Sequence, residues 1–330
     1  MQQAQENYTI QKRLTMVAVL LFAIKIGAWY LTNSVAILTD ALESTVNVTA
    51  GLIGLYSLYL SAKPRDTDHP YGHGKVEFIS AAVEGTLMII SAFLIIYESL
   101  QNFRNPHQIF KLDYGLVLIA FTAIVNFGMG TLAVNKGKKN GSLALIATGK
   151  HLQSDTYSTL GIMVGLAFIY FTHLNWIDSA VSLLFSFLII FTGYKVLRSS
   201  IAGIMDEADR ELLVELVNKL DSNRQANWVD LHNLRVIKYG NVLHVDCHLT
   251  VPWFLNVNEA HAEVDNLERI VKTHFGDSVE MFVHTDGCKD FSCHLCNKEN
   301  CPKRHYSLSN TVRWTVENVS KNEKHKFVKQ

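Results

Sequence analysis

The chain has 330 residues with 30 basic and 30 acidic side chains, so it lacks the basic excess that phosphate binding needs, which excludes nucleic acid as its main partner. Only 18% of the residues are charged, and they are unevenly spread: long apolar segments run to about Arg198, after which charge and apolar residues alternate. That division predicts a transmembrane domain over residues 1–204 followed by a soluble domain. Six segments are long enough to span a bilayer, namely 14–32, 34–62, 78–100, 114–134, 142–172 and 176–197. The first is too long, and too polar at its ends, for a cleaved signal peptide, and other spans follow directly. Lys and Arg crowd the N-terminus (Lys12, Arg13), the second connection (Lys63, Arg65, Lys75), the fourth (Lys136, Lys138, Lys139) and the region after Arg198. The third connection has Arg104 and Lys111, and the first and fifth have none. The positive-inside rule then places both termini in the cytoplasm of a multi-pass protein of the cell (inner) membrane.

Two short polar stretches sit inside the apolar runs. Glu43 and Asn47 are four residues apart in the second run, and His151 and Asp155 are four apart in the fifth. That spacing puts both members of each pair on one helix face, one turn apart. Each pair starts about 14 Å into its run, near the middle of a ~30 Å hydrocarbon layer. Together they offer two carboxylates, an imidazole and an amide oxygen at one depth, which makes a four-ligand cation site. The bland alternative is a set of interhelical hydrogen bonds, but Ser, Thr, Asn and Gln usually make those. Two facing acids repel unless a cation or protons sit between them, and a carboxylate in hydrocarbon costs several kcal/mol. Asp40, one turn outward from Glu43, is an alternate ligand or a proton acceptor on the exit path. Lys25 and Glu84 are single charges, read as packing or gating groups.

The loop after the second span carries Asp66, His69 and His73 among Pro and Gly. It reads equally well as a solvated turn or as a transition-metal site. From Asp206 the periodicity becomes that of a small mixed domain over residues 205–287. Helices are expected near 211–220 and 259–275, with strands near 231–239, 242–251 and 279–283 and a turn at Gly240-Asn241. The order αββαβ suits a compact sheet with helices on one face. His232, His248, His261, His284 and Asp286 end strands or open a helix there, which favours metal over scattered structural histidines. The remainder, 288–330, contains Cys288, Cys293, Cys296 and Cys301 with a C-x2-C pair inside. A zinc knot is the first reading, with an iron–sulfur cluster or a redox dithiol as rivals. Beyond Arg304 the tail is polar and basic, with no evident fold.

At these residues the sequence resembles the cation diffusion facilitator family of metal exporters. The resemblance covers nearly the whole chain up to about Cys288. It is carried by Lys25-Ile-Gly-Ala-Trp, Ser34-Val-Ala-Ile-Leu, His69-Pro-Tyr-Gly-His73-Gly-Lys75, the His151–Asp155 pair and His284-Thr-Asp286. It implies six transmembrane helices, a ferredoxin-like α+β cytosolic domain, a homodimer, and export of a divalent metal against protons. It assigns Glu43, Asn47, His151 and Asp155 to the transport site and Asp66, His69 and His73 to a loop site. It assigns His232, His248, His261, His284 and Asp286 to cytosolic sites at the dimer interface. Lys75 and Asp206 match a salt bridge that, in the family, links membrane and cytosolic parts.

Two departures bear on the metal. Family members place aspartates, or histidine and aspartate, where this chain has Glu43 and Asn47. The amide lowers the site charge, and oxygen-rich sites suit harder ions such as Mn²⁺ and Fe²⁺. Zn²⁺ is the expected ion because His151 and the cytosolic histidines suit it, with Mn²⁺, Fe²⁺, Co²⁺ and Cd²⁺ as competitors. The cysteine cluster lies outside the family pattern. The expected function is therefore a secondary active antiporter of Zn²⁺ and protons rather than an enzyme. A Mn²⁺/Fe²⁺ exporter is the near alternative and a membrane-anchored metal sensor the distant one. A membrane metalloenzyme is disfavoured, because the chain has no His-Glu-x-x-His and the midplane ligand set leaves no clear water position.

Overall fold

The computed structural model describes residues 2–32, 35–104, 112–172, 176–240, 242–276 and 278–326, with some helical side chains, including those of Asp40 and Glu43, outside the described set. The chain divides into two compact units, Met1–Met205 and Asp206–Gln330.

The first unit contains six long helices: α1 (Gln2–Thr32), α2 (Val35–Ser61), α3 (Val76–Arg104), α4 (Leu112–Asn140), α5 (Leu143–Thr172) and α6 (Trp176–Ile204). They pair chiefly as α1 with α2, α3 with α6 and α4 with α5. Glycines allow the closest approaches. A Cβ on Gly149 would lie 2.7 Å from the Gly130 carbonyl oxygen, and one on Gly85 would lie 2.9 Å from that of Gly193. Backbone contact of this kind is how apolar helices associate when no water drives them together.

Polarity in this unit is inverted relative to a water-soluble bundle. Val117 and Ile124 are each 73% exposed, while Gln11, Ser57, Glu77, Glu84 and Asn126 are buried. The buried polar groups join helices to one another. Gln11 donates to the Gly51 carbonyl at 3.3 Å, and Glu77 accepts from Ser61 at 2.8 Å and from Ser142 at 2.5 Å. Among the described residues, Val76–Gln101 and Ser186–Ile204 are long and apolar enough to cross a membrane by length and composition.

The second unit runs α7 (Arg210–Ser222), β1 (Asp230–Tyr239), β2 (Val242–Val251), α8 (Val257–Phe275) and β3 (Val279–Gly287), followed by a short 3-10 helix (Asp290–Leu295) and α9 (Val316–Val319). The sheet order is β1-β2-β3, antiparallel between the first pair and parallel between the second. Strand alternation separates two faces. Val245, Cys247, Leu249 and Val251 join Leu216, Leu220, Leu267 and Val271 in one apolar core beneath α7 and α8. His248 and Thr250 fall on the opposite face, in register with His232 and Asp230 on one side and His284 and Asp286 on the other.

The segment beyond Arg304 differs from the sequence expectation of no fold. Trp314 is 1% exposed and, with Val319, belongs to the core of this unit. Arg224 holds it there, with its guanidinium 4.4 Å over the Trp314 ring and donating to the Val312 carbonyl at 2.9 Å. The segment has no periodicity of its own, and its order comes from distant partners.

Candidate metal centres

Three clusters collect the ligand-type side chains. The first lies between α2 and α5. Asn47 donates through its amide nitrogen to the Asp155 carboxylate, and its amide oxygen faces Nε2 of His151. His151 is 4% exposed. Its Nδ1 is buried with no partner among the described residues. An acid, an amide and an imidazole from two helices thus meet inside the bundle. The side chains of Glu43 and Asp40 lie outside the described residues, although the α2 backbone carrying them is helical. Glu84, buried on α3, accepts from Thr148 at 3.2 Å, one turn before His151. Lys25 donates to Ser44 at 2.8 Å.

The second cluster is the loop between α2 and α3. Asp66 lies 3.0 Å from His69 Nδ1 and 3.4 Å from His73 Nε2, and the three donor atoms all lie within 4.8 Å of one another. The backbone N–H of His69, at 2.7 Å, holds the Asp66 carboxyl below its ordinary value, against some desolvation and with help from the His69 ring. Such a carboxylate stays ionised and able to bind a cation.

On the face of the β-sheet away from α7 and α8, His232, His248 and Asp286 likewise place one donor atom each within 4.8 Å. Asp286 is 3.5 Å from His232 Nε2, 3.6 Å from His248 Nδ1 and 3.7 Å from His284 Nε2. Burial keeps His232 below the usual imidazole value despite the neighbouring Asp230 and Asp286 carboxylates, so its ring stays neutral as metal binding requires. A bulge between His232 and Arg235 re-aims this edge, with Asn233 in the left-handed region at φ 53. The Asn233 side chain reaches His248 at 3.1 Å. His261 is not gathered here: it sits on α8, 73% exposed, 3.7 Å from Asp265.

Two residues near this face were not singled out from the sequence. Lys324 brings its ammonium 3.4 Å from Asp286, and His325 bonds Asp230, the acid beside His232. Both lie in the tail, where only nonlocal docking gives them meaning. Lys75 immediately precedes α3, and Asp206 begins the second unit with a positive φ of 56.

The four tail cysteines line one small cavity, although none belongs to a set of three donors drawn within 4.8 Å. Cys247 is separate. It is buried in β2, and desolvation pushes its thiol up to about 12, which leaves it protonated and inert.

Comparison with known proteins gives these clusters a context. Residues 13–205 match the cation efflux transmembrane domain, and residues 209–288 match the cytoplasmic domain of cation efflux proteins. An uncharacterized transporter of Synechocystis is 29% identical over 75% of this chain and 80% of its own length. The cation-efflux pump FieF of Pectobacterium atrosepticum is 29% identical over 82% of this chain and 90% of its own, and that of Cronobacter sakazakii is 27% identical over 83% and 90%. The buried imidazole and acid in the helical unit, and the histidine row in the soluble one, thus fall in the two domains of a single metal-handling architecture: the chain belongs to the cation efflux family.

Proposed function

We propose that this chain exports Zn²⁺ in exchange for protons by alternating access, through six membrane-spanning helices with both termini in the cytoplasm. The observation that carries this reading is the meeting of Asn47, His151 and Asp155 between α2 and α5, inside a bundle whose outer surface is apolar. Zn²⁺ from the cytoplasm binds the neutral His151 ring, the ionised Asp155 and Glu43 carboxylates and the Asn47 amide oxygen. Rocking of α2 and α5 turns the site outward. Protons arriving from outside compete for His151 and the acids, release the ion and reset the carrier. Asn47 gives the competition its geometry: its amide bridges acid and imidazole, so an entering ion replaces two existing hydrogen bonds.

The soluble unit supports a regulatory role within a homodimer. His232, His248 and Asp286, with His284 beside them, would hold Zn²⁺ on the sheet face away from α7 and α8, and its charge and coordination would favour the pairing of two copies. The Asp66–His69–His73 loop holds a further ion next to the bundle.

Proteoliposomes loaded with a zinc-sensitive dye measure the central claim. Flux driven by a pH gradient should fall to background in His151→Ala and in Asp155→Ala, with Zn²⁺ outcompeting Mn²⁺, Fe²⁺, Co²⁺ and Cd²⁺ in the unmodified protein. Undiminished flux in either variant removes the transport site, and preference for Mn²⁺ or Fe²⁺ replaces zinc as the cargo. Metal binding with no flux at all would leave a membrane-anchored sensor.

A further inference from the structure

We infer that Cys288, Cys293, Cys296 and Cys301 hold a structural Zn²⁺ that ties the C-terminal extension to the end of the sheet. All four line the same cavity, and three of them lie beyond the matched cytoplasmic domain, whose last residue is Cys288. Cys288 is placed by the sheet itself, since its N–H donates to the Val251 carbonyl at 2.8 Å just past β3. The other three come from the 3-10 helix and the turns after it, with a C-x2-C pair at Cys293 and Cys296. That spacing lets one ion take two sulfurs from a single turn, and two more complete a tetrahedron.

Three observations favour one zinc over the alternatives. The first is what holds the segment. Between Cys288 and Tyr306 the regular structure is one 3-10 helix, and the buried side chains are those of Ser292, Leu295 and Cys296. So little apolar burial does not order a loop of this length by itself, and small elements of this kind depend on a crosslink. Arg304 completes the wrapping, donating to the carbonyls of Cys293 at 3.1 Å, Cys296 at 3.0 Å and Lys298 at 2.6 Å. It closes the cysteine turns into a ring.

The second is charge. Four thiolates around one Zn²⁺ leave a net negative centre, and Lys289, Lys303 and Arg304 outnumber Asp290 along the same cavity, so the net positive charge of the lining offsets it. Each thiol gives its proton to solvent as the ion binds.

Size is the third. The cavity is small, about 20 Å³, which suits a single ion. A redox dithiol accounts for only two of the cysteines, whereas all four line the one cavity.

The test uses the full-length protein in detergent, purified with Zn²⁺ and separately with Co²⁺. Of the five cysteines, Cys247 is buried in the core, so a sulfur-rich metal signature can come only from the tail. Zinc-edge absorption should show an ion with sulfur neighbours at about 2.3 Å. The cobalt form should give intense thiolate-to-metal absorption that is lost in Cys293→Ser and Cys301→Ser and retained in His151→Ala. Because the unmodified protein gives the decisive spectrum, misfolding of a serine variant does not obscure the result. Zinc with only nitrogen and oxygen neighbours, iron with labile sulfide, or two tail disulfides by mass mapping would each overturn the inference. None of these outcomes depends on whether the bundle transports.

Discussion

Asn47 is the residue on which the proposed transport site turns. Its amide lies between Asp155 and His151, making one hydrogen bond from each end. A carboxylate in its place accepts from both sides and donates to neither, so Asn47→Asp puts an acid against Asp155 and adds a titratable group to the ligand set. Binding Zn²⁺ should then release about one more proton per ion than in the unmodified protein, because ligands must shed protons to hold metal. Calorimetry in buffers of differing ionisation enthalpy counts those protons directly, and an unchanged count would place position 47 outside the ligand set. The soluble unit contains a second single-residue test at Lys324. Its ammonium sits where a bound cation's charge would act on Asp286. A pair of this exposure is worth up to about 1 kcal/mol, so Lys324→Ala should tighten Zn²⁺ binding at the His232–His248–Asp286 site by up to about fivefold. Titration of the two proteins against a competing chelator reads that shift.

Helix contacts set where these side chains meet. Gly149 lies two residues before His151 and packs its α-carbon against the Gly130 carbonyl, with the Val134 backbone nitrogen also 2.7 Å from any added Cβ. Gly149→Ala must therefore push α5 away from α4 and carry His151 with it. Flux should drop by at least about tenfold, as for other misplacements of reacting groups on the order of 1 Å, while Zn²⁺ binding to the soluble unit stays unchanged. In that unit, Asp209 caps α7, accepting from the Leu212 N–H at 3.1 Å and pairing with Lys238 at 2.5 Å. Partial burial alone would raise its carboxyl, but Lys238 and the helix N–H groups overcome that and hold it below its ordinary value of 3.8. A depressed folded value means that the stabilisation is present above the unfolded value and disappears as pH falls through the folded one. Asp209→Ala should cost about 1 kcal/mol at neutral pH, and the difference should vanish under acid. Much at this scale was legible in advance, because apolar runs and alternation report burial that is local in sequence. The bulge at Asn233 was not, since its left-handed backbone bonds to the carbonyl of Lys321 at 2.8 Å, nearly ninety positions on. Nor did the sequence separate His261 from the histidines it was grouped with: that depends on α8 packing against the other face of the sheet.

Across the whole molecule the two units follow opposite rules, apolar outside in one and apolar inside in the other, and the tail belongs to the second rule. Its sequence beyond Arg304 is mostly polar, and a composition argument treats it as unfolded. Trp314 and Val319 contradict that by completing the core, and Asp221 accepts from the Trp314 N–H at 3.1 Å. Arg224 depends on the same segment, since its charge, partly desolvated, is placed against the Trp314 ring and the carbonyls of Val229 and Val312. Trp314→Ala therefore removes a large core side chain and the aromatic face over a buried guanidinium together. The soluble unit should lose about 3–5 kcal/mol, seen as an earlier melting step in calorimetry of the detergent-solubilised protein. The same loosening should free Lys324 from Asp286, because the chain between Trp314 and Lys324 is what delivers the ammonium to the sheet. Trp314→Ala should accordingly reproduce the tighter Zn²⁺ binding of Lys324→Ala at temperatures where the unit is still folded. An affinity unchanged by the tryptophan variant but raised by the lysine variant would show that the tail stays docked without its core anchor, held from its cysteine end alone.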